Sequence, residues 1–272
     1  MARKRVLVTG ATGYIAQQLL PAFRERYDLR LTDVRKETRD GVAVPDVEIL
    51  DLLDDDPTAI SPFLEGIDTI VHLGFVSRDE DAPYESQRRN VDMMQRVYQA
   101  ATESGVGRVV AASTNQAAKW YEQPWFAGRK DIVSVEDYPR PESFYGWAKA
   151  AYESLGFVYA CGGLGTTLEV VLLRIVVPRE IDPDLFVNEP RERYIRELAG
   201  YISERDLQQL FIKSIDARSI DDQHGIPFQI FNGVSNNARK FWSITNARQV
   251  VDYQPVDDSE VRFAKDIARL LG

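Results

Sequence analysis

The segment VTGATGYIAQQLL (Val8–Leu20) is the strongest indication of the fold, because an apolar run passes through two glycines into a helical pattern. The apolar run predicts a strand, and the residues after it predict a helix over about 13–26. Gly10 allows a tight turn, and Gly13 lets a pyrophosphate approach the backbone at the positive amino end of the helix. Ala16 takes the third small position, where a methyl group can pack helix against strand. The segment therefore predicts a dinucleotide-binding loop.

An acidic residue, Asp33, ends the next predicted strand, twenty residues after Gly13. A carboxylate there accepts hydrogen bonds from the ribose 2′- and 3′-hydroxyls and repels a 2′-phosphate, so NAD is favoured over NADP. Arg35 lies two residues further on and can in principle meet a phosphate, which leaves NADP open. Asp51 and Leu52 follow the third strand, where an adenine is expected, although Asp51 can equally be a solvated loop acid.

The pattern along the chain predicts an α/β fold, a doubly wound parallel sheet of the Rossmann type with a small C-terminal substrate lobe. The predicted strands are RVLVTG, LRLTD, DVEIL, DTIVHLG, GRVVAAS, LEVVLLRIV and PFQIFNG. The predicted helices cover about 13–26, 57–65, 83–104 and 143–161. We expect a NAD-binding domain carrying the chemistry at 1–175. We expect a small lobe at 176–272 that is integrated with it and does not fold independently.

The amino-acid composition changes after Arg174, in the C-terminal third of the chain. Residues 176–194 contain three prolines and dense charge, which predicts a loop. Ser203 is the expected N-cap of a following helix, and DSEVRFAKDIARLL predicts a closing helix. We expect this lobe to cover the carboxyl edge of the sheet, where ligands bind in open α/β folds.

Composition limits the classes of partner. The 272 residues carry a net charge of −9, with 44% hydrophobic and 28% charged residues, which is typical of a soluble globular protein. We expect no binding to nucleic acid or to a membrane, because the surface is acidic and no apolar run approaches the ~20 residues needed to span a bilayer. The N-terminus leads directly into a strand, so we expect a cytoplasmic protein. The single cysteine, Cys161, fits a reducing compartment. His72 and His224 are too few and too far apart in the sequence to indicate a metal site.

The motif SFYGWAK places Tyr145 and Lys149 four residues apart on a predicted helix, and therefore on one face. A phenol with a pKa near ~10 is a poor base at neutral pH. An adjacent ammonium, together with the positive charge of an oxidised nicotinamide, would stabilise the phenolate. Tyr145 could then remove a proton from a substrate hydroxyl. A surface helix pair is the alternative interpretation, but the position after VVAASTNQ favours the catalytic one.

With these motifs the chain resembles the extended short-chain dehydrogenases/reductases, the NAD-dependent epimerase/dehydratase superfamily. The family's Gly-x-x-Gly-x-x-Gly pattern is met by Gly10 and Gly13, with Ala16 in place of the third glycine. The resemblance implies that Thr114, or else Ser113, bonds the reacting oxygen, and that Thr114, Tyr145 and Lys149 are catalytic. It also implies that NAD contacts Gly10, Gly13, Tyr14, Ile15, Asp33, Asp51, Leu52, Leu73, Gly74, Asn90, Tyr145, Lys149 and Ile175.

A closer resemblance is to the uronate dehydrogenases, through HLGFVS, ASTNQ, YGWAK, LRIV, RELAGYIS and FNGVSNN. It implies that Arg196 pairs with a substrate carboxylate, an interaction that suits a guanidinium because the pair can be bidentate. The implied sugar pocket consists of Ser77, Thr114, Asn115, Gln116, Tyr145 and Arg196.

The implied function is NAD-dependent oxidation of the anomeric (C1) hydroxyl of an anionic hexose, a hexuronate, to the aldonolactone. Arg179, Arg191 and Arg193 could instead reach a phosphate or sulfonate, so glucose 6-phosphate or a sulfonated hexose is an alternative substrate. A nucleotide-sugar epimerase is disfavoured by the small lobe and by Asn115, where 4,6-dehydratases carry an acid. A non-catalytic NAD-sensing regulator is disfavoured by the intact Tyr/Lys pair. The resemblance to the family also implies a homo-oligomer formed through the helices near 83–104 and 143–161.

Overall fold

The central element of the computed structural model, which describes residues 3–272, is a parallel sheet with the strand order β3-β2-β1-β4-β5-β6-β7. The strands are β1 Arg5–Thr9, β2 Asp28–Asp33, β3 Val47–Ile49, β4 Thr69–His72, β5 Arg108–Thr114, β6 Glu169–Ile175 and β7 Phe228–Gly233. The chain winds outward in one direction from β1 to β3, then crosses back to β4 and continues in the other direction. The predicted doubly wound fold is confirmed, and its switch point lies between β1 and β4, where such folds bind ligands.

Helices cover both faces of the sheet. They are α1 Tyr14–Arg26, α2 Pro83–Glu103, α3 Glu122–Phe126, α4 Phe144–Ala160, α5 Arg191–Gly200, α6 Glu204–Asp216, α7 Thr245–Val251, α8 Ser259–Arg262 and α9 Ala264–Leu271. Side chains alternate along the strands, so Val8 and Val110 join the core under α1 and α6, whereas Leu7 and Val109 join the core under α2 and α4. This double burial explains why the strands read as continuous apolar runs.

The helix predicted at 57–65 is wrong, because the structure has only a 3-10 turn at Ser61–Phe63 there. Asp54 accepts a hydrogen bond from the backbone N–H of Asp56, and Asp56 in turn accepts from the backbone and hydroxyl of Thr58. Such short-range bonds compete with helix formation.

The helices and loop predicted for the C-terminal third agree with the structure except at two places. Ser203 caps α6 as expected, since its hydroxyl accepts from the backbone N–H of Asp206 at 3.2 Å. The end of the predicted loop already belongs to α5, which begins at Arg191, and a 3-10 turn spans Pro183–Phe186. The single closing helix is divided at Phe263 into α8 and α9.

Residues beyond 175 contribute to the sheet as well as to the surface above it. Strand β7 pairs with β6 from Val170↔Phe228 to Ile175↔Gly233, and α6 packs against α1 in the same core. The division at 175/176 stays a prediction. None of the helices within residues 3–272 is long and apolar enough to cross a membrane.

A buried ion pair fixes α4 to the sheet. Arg174 on β6 donates to both carboxylate oxygens of Glu153 at 2.7 and 2.6 Å, and the two side chains are only 1% and 3% exposed. The Ser113 hydroxyl, at the end of β5, donates to the same carboxylate at 2.9 Å. Glu153 lies four residues after Lys149, which lies four after Tyr145, so the ion pair orients the helix face that carries the Tyr/Lys motif.

Loss of Arg174 should therefore be costly, because it leaves a buried carboxylate without its cation. We expect Arg174→Met to lower the free energy of unfolding by ~3–5 kcal/mol, and the double variant Arg174→Met/Glu153→Leu to recover much of the loss. Chemical denaturation measures both. The control is Arg30→Met, which removes an exposed pair with Glu48 and should cost less than about 1 kcal/mol. A similar small loss for Arg174→Met would contradict the assigned role.

Candidate active site

A cleft of about 1100 Å³ opens at the carboxyl ends of the central strands and is lined by the dinucleotide-binding loop. Most of the residues predicted to contact a cofactor or to carry the chemistry lie on its wall. They are Gly10, Gly13, Tyr14, Ile15, Asp33, Asp51, Leu52, Leu73, Gly74, Thr114, Tyr145, Lys149 and Ile175. Asn90 does not line the cleft. It is buried on α2, where it accepts from the Val76 N–H at 2.7 Å and donates to the Val76 carbonyl, and so holds the loop that follows β4.

The glycine loop has the close approaches that its sequence predicts. Gly10 has a φ of +74°, and a Cβ there would lie 2.6 Å from the backbone nitrogen of Gly74. Gly13 precedes α1 in an extended conformation, and a Cβ on it would lie 3.1 Å from the Gly10 carbonyl oxygen. Ala16 is fully buried in the first turn of α1, which fits the packing position expected for it. The amino end of α1 therefore lines the cleft with backbone N–H groups, which favour a phosphate there.

One end of the cleft is built around Asp33, the residue predicted to bind a ribose. Its Oδ2 accepts from the backbone N–H and the hydroxyl of Thr12 at 2.9 and 2.8 Å, and its Oδ1 accepts from the Val34 N–H. Arg35 donates through Nε to the Thr12 hydroxyl at 3.3 Å, and Arg39 also lines this end. Thr12 was not predicted. The sequence feature that could have identified Thr12 is its hydroxyl between the two glycines, close to the acidic residue that ends β2.

The candidate reacting groups lie together on one wall. Thr114 ends β5, and the Tyr145 ring packs edge-to-face on Phe75 with the ring centroids 5.3 Å apart. Burial raises the pKa of Tyr145 above its usual value of 10.0, and the nearby Thr114 side chain partly offsets that rise. Ser113 is the less suitable of the two hydroxyls that the sequence offered, because it is bonded to Glu153.

Lys149 is buried beside them. Its ammonium donates to the Ala112 carbonyl at 2.9 Å and lies 4.4 Å from the centroid of the Tyr152 ring. Burial lowers the pKa of Lys149 to about 7, against the opposing charge of Glu153. Burial is the main influence on both groups, and the pKa of the Tyr145 phenol is raised in the cofactor-free protein. Stabilisation of the phenolate by Lys149 together with an oxidised nicotinamide stays a prediction.

The residues predicted to bind the sugar lie outside the wall of this cleft, apart from Thr114 and Tyr145. Asn115 is buried and accepts from the Thr114 hydroxyl at 3.4 Å, and the Gln116 backbone N–H donates to that hydroxyl at 3.3 Å. Ser77 accepts from Arg39 at 3.0 Å, which joins the loop after β4 to the loop after β2.

Arg196 lies on α5 with its guanidinium held between two carboxylates. Nε donates to Glu122 at 3.1 Å and Nη1 donates to Glu197 at 2.7 Å, and the side chain is 17% exposed. Glu122 also accepts from the Asn115 amide at 3.2 Å. Burial raises the pKa of Glu122, although the charge of Arg196 opposes the rise. No sequence motif marked Glu122.

Comparison with known proteins now identifies the family. The sequence profile described as "NAD dependent epimerase/dehydratase family" matches residues 6–176. The chain belongs to this family. This is a family of NAD-dependent oxidoreductases, so the chain is an NAD-dependent enzyme. The predicted cofactor, NAD, is thereby confirmed.

Curated relatives cover nearly the whole chain. The chain is 33% identical to the NAD-dependent glucose-6-phosphate dehydrogenase of Haloferax volcanii, over 93% of this chain and 94% of that protein. It is 31% identical to the L-arabinose 1-dehydrogenase (NAD(P)(+)) of the same organism, over 94% and 97%. It is 30% identical to the uronate dehydrogenase of Pseudomonas syringae pv. tomato, over 96% and 85%. These relatives are named as sugar dehydrogenases that act on different sugars.

A solved structure described as a mutated uronate dehydrogenase is similar to this chain with a TM-score of 0.75 and 26% identity. The match covers 98% of this chain and 86% of that chain. A UDP-glucuronic acid 4-epimerase from Bacillus cereus in complex with NAD has a TM-score of 0.65 at 17% identity, which shows a common fold only. The resemblance to the epimerase/dehydratase superfamily and to uronate dehydrogenases is thus confirmed.

The glycine loop can be tested with two small-residue positions one helical turn apart. Gly13→Val should abolish NADH binding, because its side chain would occupy the space that a pyrophosphate needs near the Gly10 carbonyl. Ala16→Gly should leave NADH affinity nearly unchanged and lower the free energy of unfolding by about 0.5–1 kcal/mol. Fluorescence titration and chemical denaturation measure the two effects. Normal NADH binding by Gly13→Val would contradict this placement of the pyrophosphate.

Proposed function

We propose that this enzyme oxidises the C1 hydroxyl of a sugar with NAD and yields the corresponding lactone. The observation that carries the proposal is that Thr114, Tyr145 and Lys149 lie on the wall of the cleft that the dinucleotide loop also lines. The names of the relatives support it, since glucose 6-phosphate, L-arabinose and uronate dehydrogenases are all among them. L-arabinose 1-dehydrogenase also names the C1 position.

The residues present fit NAD. The Gly10–Gly13 cradle, whose space a Cβ would fill, and the amino end of α1 would hold the pyrophosphate, and Asp33 would bind the adenosine ribose. Lys149 and Tyr145 lie at the other end of the cleft, where Lys149 would bind the nicotinamide ribose. When bound, NAD supplies the hydride acceptor at nicotinamide C4 and, in its oxidised form, a positive charge near the phenol.

The chain's own groups would handle the proton. Thr114 holds the C1 oxygen by a hydrogen bond, and Tyr145 accepts the hydroxyl proton as the hydride leaves C1. Phe75 packs on the Tyr145 ring and restricts its orientation. Because burial raises the phenol pKa, positive charge beside Tyr145 is needed for the phenolate to form near neutral pH.

The choice of sugar is the finer part of the proposal. The choice of a hexuronate as substrate is supported by the resemblance to uronate dehydrogenases and by Arg196. The choice of glucose 6-phosphate or a sulfonated hexose is supported by the arginines of the 176–194 loop. In the structure Arg179 pairs with Glu197 and Arg193 pairs with Glu189, both at 2.6 Å. The geometry therefore supports C1 oxidation more strongly than it supports an anion-binding site.

The remaining alternatives have less support. A nucleotide-sugar epimerase would return its cofactor unchanged, so net NADH formation from a free sugar separates it from a dehydrogenase. A non-catalytic regulator would not need Tyr145 and Lys149 to be placed on the cofactor cleft beside Thr114. A homo-oligomer through α2 and α4 stays a prediction, supported by the exposed aromatic residues Tyr84, Phe144 and Phe157 on these helices.

The base can be tested by removing one oxygen atom. Tyr145→Phe should lower kcat by about 10²–10⁴-fold, because the proton acceptor is lost, while NADH binding stays at the wild-type level. The assay is NADH formation with galacturonate, glucuronate, glucose 6-phosphate, sulfoquinovose and neutral aldoses. Substantial retained activity would show that Tyr145 is not the base.

The pH profile gives an independent test. A general base must be deprotonated to act, and burial raises the pKa of Tyr145, so kcat/KM for the sugar should rise as the pH is increased above neutral. The residual activity of Tyr145→Phe should lack this rise. A wild-type profile that is flat or falls over this range would contradict the assignment.

A further inference from the structure

Four side chains form a row of alternating charge, Arg179–Glu197–Arg196–Glu122, which we call the charge row. Arg179 donates to Glu197 at 2.6 Å, Arg196 donates to Glu197 at 2.7 Å, and Arg196 donates to Glu122 at 3.1 Å. Arg179 is half-exposed, whereas the side chains of Glu197, Arg196 and Glu122 are only 11%, 17% and 12% exposed. The row therefore runs from the surface into the protein, and its formal charges cancel.

The buried end of the charge row reaches the groups proposed to react. The Glu122 oxygen that accepts from Arg196 also accepts from the Asn115 amide at 3.2 Å. Asn115 in turn accepts from the Thr114 hydroxyl at 3.4 Å, and Thr114 lines the cleft together with Tyr145. Glu122 is thus two hydrogen bonds away from the hydroxyl that would hold the C1 oxygen.

This arrangement changes what Arg196 can bind. A guanidinium already placed between two carboxylates has no unbalanced positive charge to offer to a third anion. A sugar carboxylate or phosphate brought to Arg196 would lie close to Glu122 and Glu197, and repulsion between like charges is strong where exposure to water is low. The anion would have to displace Glu122, which would break the bond to Asn115 as well.

A neutral hydroxyl has no such conflict. Within the part of the chain that the structure describes, Glu122 Oε2 and Arg196 Nη2 make no hydrogen bond to another side chain or to the backbone. The pair therefore offers one acceptor and one donor. A sugar hydroxyl both donates and accepts, so it can satisfy both.

We propose that Glu122 determines substrate specificity by neutralising Arg196, so that the substrate class is a neutral aldose and sugars carrying a carboxylate or phosphate are disfavoured. The inference rests on the proposed function, C1 oxidation of a sugar. It differs from the expectation that Arg196 is an anion-binding residue. Glu122 is a specificity-determining residue here, and Asn115 is a positioning residue that links it to Thr114.

The test uses sugars that differ only at C6. D-Galactose is compared with D-galacturonate, and D-glucose with D-glucuronate and with glucose 6-phosphate. We expect the wild-type enzyme to have a kcat/KM at least about 10-fold higher for the neutral member of each pair, which is ~1.4 kcal/mol. Calorimetric binding of the same sugars with NADH present gives a second readout that does not require turnover.

The variant Glu122→Gln removes the charge and keeps an oxygen that can accept from Asn115. It should shift the ratio of uronate to neutral aldose, in both kcat/KM and binding, by at least about 10-fold toward the uronate. The matched control is Glu48→Gln, an exposed acid on β3 that accepts from Arg30 Nε at 2.8 Å. This control should leave the ratio unchanged.

Binding and turnover together distinguish a failure of the proposed specificity from a failure of the proposed reaction. Preferential binding of neutral aldoses without NADH formation would support the role of Glu122 and overturn the proposed function. Wild-type preference for the uronate or the phosphate, in binding or in turnover, would overturn the inference. An unchanged ratio in Glu122→Gln would overturn it as well, as would the absence of binding by any neutral aldose.

Discussion

The buried pair between Arg174 and Glu153 is the interaction on which the geometry of the cleft depends. It joins the end of β6 to the middle of α4, and the Ser113 hydroxyl adds the end of β5 to the same carboxylate. Tyr145 and Lys149 lie on the same face of α4 as Glu153, at successive intervals of four residues. A shift of α4 along the sheet would therefore move the phenol away from Thr114 and the ammonium away from the Ala112 carbonyl.

Positive charge is distributed unevenly along the cleft. On the wall beside Tyr145, burial lowers the pKa of Lys149 to about 7, and Arg196, which lies outside that wall, is compensated by two carboxylates. Beside Asp33, Arg35 and Arg39 make no ion pair among residues 3–272, and both line the cleft. Two cations without an ion pair therefore lie beside Asp33, whereas the charges around Arg196 are nearly balanced.

The features that the sequence predicted are those that depend on local patterns. Val8–Leu20 predicted the strand, the loop and the helix, because the glycine spacing and the apolar run act within a few residues of each other. SFYGWAK predicted the helix face of Tyr145 and Lys149 for the same reason. The helix at 57–65 failed because Asp54 and Asp56 bond to their own backbone neighbourhood, which outweighed the apolar pattern.

The parts that the sequence did not predict depend on residues distant in the chain. Glu122, Glu197 and Arg196 meet only after α3 and α5 are brought together by the fold, and nothing around Glu122 marks it as a partner of Asn115. The raised pKa of Tyr145 and the lowered pKa of Lys149 have burial as their main cause. Burial is a property of the folded chain that spacing alone does not give.

In the proposed reaction, a hydride passes from C1 of a sugar to NAD in this cleft. The most direct test incubates the enzyme and NAD with aldoses deuterated at C1 and determines the mass of the reduced cofactor. We expect that the reduced cofactor carries the deuterium and that the lactone forms in equal amount. Reduced cofactor without deuterium, or a converted sugar without any net reduction of NAD, would contradict it.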